Sequence, residues 1–169
     1  MKRVTHTLLG AAAATPFALA LPPLGAAGCL WFGMVGGGWP DWFDLRSDAR
    51  ATLRLRHRGV SHSLVLACAW SLLLWIVFGV VSRSGMINPP AAASVAWTSG
   101  FFMGICSHLL GDACTHAGIQ PWLPFSRRRF WLVPKLLRTR SDGLGDRLGR
   151  FLALIVLIGG VVVYVLARR

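Results

Sequence analysis

Glutamate is absent from this chain of 169 residues; its six acidic residues are all aspartates, Asp41, Asp44, Asp48, Asp112, Asp142 and Asp146. Charge of either sign is scarce at 14%, against about 25% in an ordinary soluble domain. Four cysteines without any CxxC spacing make no compact disulfide framework. HExxH, GxSxG and the Walker phosphate loop are missing as well, which sets aside zinc-protease, serine-esterase and nucleotide-hydrolase readings. What is present is apolar: 54% of residues are hydrophobic and the mean hydropathy is +0.56. That content excludes a disordered chain and points to a small integral membrane protein.

The net charge is +12 and the pI about 11.5. In a soluble protein such a balance would suggest nucleic acid, but here Lys and Arg flank apolar segments, as cytoplasmic loops of membrane proteins do. Membrane lipids are the expected partners and nucleic acid is not. Small-residue helix faces permit a homo-oligomer or a protein partner without requiring either.

Residues 64–82 and 151–167 are nearly uninterrupted apolar runs, close to the roughly 20 residues that cross a bilayer. Residues 91–113 form a third, rich in Gly, Ala and Ser, with His108 and Asp112 near its end. Residues 8–39 are apolar for about one and a half crossings and are broken at Pro22-Pro23. A helical hairpin over 4–39 is expected there. It puts Lys2, Arg3, five Arg from Arg46 to Arg58 and eight Lys/Arg from Arg127 to Arg150 on the cytoplasmic side, leaving Arg83, Arg168 and Arg169 outside. One long helix would move Lys2 and Arg3 across. A cleaved signal ending before Cys29 is a further alternative, opposed by the prolines and by the apolar stretch that continues past the cut.

The expected architecture is therefore all-α, a polytopic bundle with about five short transmembrane segments. It forms a single membrane domain, 1–169: hairpin 4–39, cytoplasmic loop 40–62, helices 63–82 and 91–114, basic cytoplasmic loop 115–150, and helix 151–167. The amino terminus is cytoplasmic.

In that topology the chemistry-bearing residues converge near one face in three groups. His6 opens the first apolar segment. Asp41 and Asp44 in PDWFD, with His57 and His62 in HRGVSHS, lie at a helix exit and a helix entrance; these are ligand types for zinc, manganese or iron. His108 and Asp112, four residues apart, share one helical face and can share one ion. Ionisable groups in a membrane segment are costly and usually functional. Competing plain readings are that Ser61 or Ser63 caps the next helix, that Asp44 and Asp48 pair with nearby Arg, and that Arg58 anchors the membrane surface. The cysteines read as buried thiols, and His116 as a helix-end residue outside the ligand set.

These blocks, in order, resemble the YdjM-like proteins, a family of bacterial inner-membrane metal-dependent hydrolases whose label also mentions LexA binding. The likeness rests on VTHTLL at 4–9, WPDWFD at 39–44, HRGVSHSL at 57–64 and SHLLGDACTHAGIQPWLPFSRRR at 107–129. In the family the blocks look like PD-x-D, HRG-x-[ST]HS and SH-x-x-x-D. His116 stands where the family often has Pro, and Trp42 and Phe43 fill a usually smaller turn. No residue here can be tied to LexA. The resemblance implies a metal site, distantly similar to zinc-dependent phospholipase C, with His6, Asp41, His57, His62, His108 and Asp112 as ligands. One or two divalent ions are implied, zinc first, manganese or iron otherwise.

The expected activity is hydrolysis of a phosphoester or phospholipid headgroup at the cytoplasmic face of the inner membrane by metal-activated water. Asp41 or Asp44 would act as general base and Arg58 would steady developing negative charge. The alternative is a non-catalytic membrane scaffold in which the cluster is a structural metal clip and the Arg-rich loops hold a partner. A transporter would need ionisable groups at mid-membrane, which the topology does not supply.

Overall fold

A computed structural model describes residues 1–42, 59–85, 91–140 and 143–169. Among them the chain forms five α-helices: α1 (Arg3–Ala18), α2 (Pro23–Trp42), α3 (Leu64–Arg83), α4 (Ala91–Ala113) and α5 (Leu144–Leu166). No strand occurs among the described residues, only isolated bridges at Thr115/Thr139 and Ile119/Phe130. Three helices are long and apolar enough to cross a membrane, Leu64–Arg83, Ala92–Ala113 and Leu144–Leu166. α3 and α5 carry large apolar side chains such as Trp75, Ile76, Phe151 and Ile155 exposed around much of their circumference, as a helix facing lipid does.

Pro22-Pro23 separates α1 from α2, and Pro23 occupies the first helical position, where its missing N–H costs nothing. α2 continues through Pro40 to Trp42, so Asp41 stands on its last turn. α3 begins after Ser63, whose Oγ accepts the Leu66 N–H at 3.1 Å. Residues 114–140 are tied back to the helix ends: Leu132 N–H donates to the Ala113 carbonyl, Thr139 N–H to that of Cys114, and Leu64 N–H to that of Pro121 at 2.9 Å.

α1, α2 and α4 make the inner layer, with α3 packed on α4 and α5 on α1. Glycine permits the close approach. A Cβ on Gly37 would collide with the backbone of His6, one on Gly36 with that of Phe101, and one on Gly104 with those of Gly33 and Gly37. The Gly33–Gly37 stretch of α2 is thus held between α1 and α4, as small residues hold helices in membranes. Below it, Cys29, Ala14, Ala18 and Ala96 fill the core. Gly37→Val should destabilise the fold by about 3 kcal/mol, the upper end of the usual cost of overpacking, because the clash is with backbone; it is read as a lower melting midpoint in detergent. Gly79→Ala, where an added Cβ meets nothing within 4 Å, should leave the midpoint unchanged or slightly raised.

Candidate metal centre

Three helix ends and one turn bring the site together. His6 comes from the first turns of α1, Asp41 from the last turn of α2, His62 from the 3₁₀ turn Val60–His62 before α3, and His108 and Asp112 from the end of α4. Four of the five side chains are buried; Asp41 alone keeps appreciable exposure, at 16%.

His62 Nε2 lies 3.5 Å from Asp41 Oδ1 and 3.6 Å from Asp112 Oδ2. His108 Nε2 lies 3.8 Å from Asp41 Oδ1 and 3.7 Å from Asp112 Oδ2. These separations exceed the roughly 2.7–3.2 Å of a nitrogen–oxygen hydrogen bond. They are close to the edge of a tetrahedron, about 3.3–3.5 Å, whose corners are nitrogen and carboxylate oxygen about 2.0–2.2 Å from a central zinc. Two imidazoles and two carboxylates thus lie at separations that could suit the ligands of an ion. His6 Nε2 approaches the other oxygen of Asp112 at 3.4 Å, and the Met1 α-amine lies 3.5 Å from that same Oδ1. Donor atoms of His6, Asp41 and His108, and likewise of His62, His108 and Asp112, fall within 4.8 Å of one another.

The ring orientations agree with that reading. His108 Nδ1 sits 2.7 Å from the Gly37 carbonyl oxygen, which fixes Nδ1 as the protonated nitrogen and turns Nε2 inward as an acceptor. His62 Nδ1 is paired with Ser61 Oγ at 2.9 Å, a contact that turns its Nε2 toward Asp41 and Asp112. His108 Nε2 is buried without a hydrogen bond among the described residues, a costly state unless a cation receives the lone pair. The His6 and His108 rings stack with centroids 3.8 Å apart. The donor set, oxygen and imidazole nitrogen without thiolate, suits zinc, manganese or iron.

Of the sequence-derived candidates, His6, Asp41, His62, His108 and Asp112 come together. Asp44, His57 and Arg58, together with Asp48, lie outside the described residues. His116 stays apart, its carbonyl accepting the Trp131 indole N–H at 3.2 Å. The cysteines are free and away from the cluster. Cys29 Sγ turns to the Ala14 and Ala96 carbonyls, burial pushes the Cys114 thiol pKa up, and Cys68 is exposed rather than buried. The serines divide their tasks: Ser63 caps α3, while Ser61 orients His62.

Sequence reasoning passed over two contributors. The Gly37 carbonyl carries no side-chain signal; its only mark is the run Gly36-Gly37-Gly38. Asp146 received no role from the sequence, yet it is fully buried. It accepts the Lys2 backbone N–H at 3.0 Å and the Arg150 guanidinium at 3.0 Å, fixing the start of the helix that bears His6.

Replacing His108 or Asp112 with Ala should remove bound metal, measured by elemental analysis of purified protein, while membrane insertion persists. Ser61→Ala should retain the ligands but weaken metal affinity by about 10–100-fold, measured by chelator competition.

No curated protein and no solved structure matches the chain. The family model described as YdjM inner membrane protein matches residues 1–169, the whole chain, and the chain belongs to that family.

Proposed function

We propose that the protein is a membrane-embedded, metal-dependent hydrolase acting on a phosphoester or phospholipid headgroup at the cytoplasmic face. The observation that carries this reading is the set of two inward Nε2 atoms facing two carboxylate oxygens at 3.5–3.8 Å. A divalent ion held by His62, His108, Asp41 and Asp112 would supply Lewis acidity to a phosphoryl oxygen and acidify water near neutral pH. Asp41, the member with exposure, is the carboxylate placed to take a proton from incoming water. His6 steadies Asp112 by facing its second oxygen. Arg58 keeps the part of charge stabiliser, and Asp44 that of a second base.

The bundle is read as five crossings with the amino terminus in the cytoplasm. α1 starts level with the start of α5, where Lys2 N–H meets Asp146. It ends level with the end of α5, where the Leu21 carbonyl accepts from Tyr164 Oη at 2.9 Å and from Arg168. The hairpin thus extends as far as a helix of 23 residues, although α1 itself has 16 and α2 is rich in glycine.

The count of donors supports a second reading. Four donors complete a tetrahedron, which is the pattern of a structural clip, whereas a hydrolase keeps a position for water. Five- or six-coordinate manganese or iron would keep one with the same ligands.

Turnover separates the two. Metal-loaded protein in nanodiscs containing phosphatidylglycerol should release phosphate or a phosphorylated headgroup, and Asp41→Asn should lower kcat by about 10²–10⁴-fold. Stoichiometric metal without turnover on any phosphoester would favour the clip. For the topology, Leu24→Cys near the hairpin tip should react with an impermeant maleimide in spheroplasts. Leu136→Cys in the basic loop should react only after permeabilisation.

A further inference from the structure

A cleft of about 330 Å³ opens between α1, α4 and α5, walled by Met1, Leu9, Leu110, Gly111, Thr139 and Gly145. Its size lies at the lower end of small-molecule sites, and its walls are mostly apolar, as such sites are. Leu9 lies six residues beyond Arg3, about 9 Å along α1. The polar layer on each side of a bilayer is about 5–7 Å deep, so the cleft runs from headgroup level into the acyl-chain region.

The cleft and the metal centre share a wall at Gly111. A Cβ there would lie 3.3 Å from His6 Cε1 and 3.5 Å from His6 Nδ1, and 2.9 Å from Met1 Sδ. Only the missing side chain keeps His6 next to the cleft. His6 Nδ1 is buried and makes no hydrogen bond among the described residues, while Nε2 of the same ring faces Asp112 at 3.4 Å. One imidazole therefore bears on the metal carboxylate through one nitrogen and stands beside the cleft with the other. Arg140 and Arg147, neighbours in sequence of the wall residues Thr139 and Gly145, are exposed. An apolar slot at acyl-chain depth, an imidazole nitrogen without a hydrogen bond just behind its Gly111 wall, and exposed cations next in sequence to two wall residues are together complementary to one kind of occupant.

The geometry points to this cleft as a lateral port for a phosphate-bearing lipid, with an acyl chain along Leu9 and Leu110 and the phosphate brought to Gly111 beside His6. The inference rests on the metal-hydrolase reading and narrows its substrate from phosphoesters in general to amphiphiles that arrive from the bilayer. A water-soluble phosphoester has no use for the apolar slot.

The probes are palmitoyl lysophosphatidylglycerol and glycerol 3-phosphate, added to the zinc-loaded protein in detergent, with retention read by native mass spectrometry and zinc by elemental analysis. The lysolipid should be retained at one per chain. Leu9→Trp, which fills the slot, should weaken retention by at least about tenfold with zinc content unchanged. Leu72→Trp, in a separate cavity of about 330 Å³ beside Ser71 and Thr98, should retain it as the wild type does. Thr139→Trp narrows the headgroup end and tests the same port should Leu9→Trp fail to fold. Glycerol 3-phosphate should compete weakly even in large excess. No retention by the wild type, retention indifferent to both port substitutions, or glycerol 3-phosphate binding as tightly as the lysolipid would overturn the port. A wild-type protein that takes up no zinc, manganese or iron would overturn the metal reading instead, so the two failures are distinguishable.

Discussion

The site depends on how closely α2 can lie against α1 and α4. Its donors come from separate helix ends, and imidazole and carboxylate side chains are short, so a change of an ångström or two in helix spacing would separate them beyond the reach of one ion. Gly33, Gly36 and Gly37 on α2, with Gly10 on α1 and Gly104 on α4, remove the side chains that would hold the backbones apart. The approach also places a backbone carbonyl within reach of a ligand: the Gly37 oxygen meets His108 Nδ1 at 2.7 Å because nothing projects between them. Packing and the geometry of the site are thus one constraint. The same residue both seats the helix and selects the tautomer of His108.

The electrostatics are those of a cluster that a cation would suit. Three imidazoles and two carboxylates share a volume in which four of the five side chains are nearly inaccessible. Neutral imidazoles leave two negative carboxylates facing each other across the site. Protonating the imidazoles would bring several positive charges into contact, including the stacked His6 and His108. Either state is costly away from bulk water. A divalent ion would remove the conflict, because it would take up imidazole lone pairs and carboxylate charge together. Its binding free energy would then add to the stability of the fold.

Much of this was legible in the sequence, for reasons that differ by residue. His108 and Asp112 are readable because an i,i+4 spacing on an apolar helix leaves one geometric outcome, and His6, Asp41 and His62 because their motifs stand at helix ends that the hydropathy pattern brings to one face. Pattern did not reveal that α2 runs through Pro40, which puts Asp41 on a helix instead of in a loop. Proline signals an ending, yet Pro40 lies in the last turn, and the preceding glycines are held helical by tertiary contact on both sides. Gly37 could not be identified as a second partner of the site, since its contribution is a carbonyl. Asp146 was not distinguished from the other aspartates, because nothing in its local sequence reports that α1 will cover it.

Asp146 also shows how an outer helix can govern an inner site. α5 exposes most of its surface and packs on α1, so its span could be taken for a passive anchor. Its first turn nevertheless holds a buried carboxylate that accepts the Lys2 backbone N–H, one of the donors a helix start leaves without an intrahelical partner. The negative charge also lies at the positive end of the α1 dipole. At the far end, Tyr164 and Arg168 hold the Leu21 carbonyl where α1 turns into α2. α1 is therefore pinned at both ends by one helix, which sets its height relative to α2 and α4. His6 stands one turn beyond the first pin. The vertical register of His6 against Asp112 is fixed from the outside of the bundle, while its lateral spacing is fixed by the glycines within.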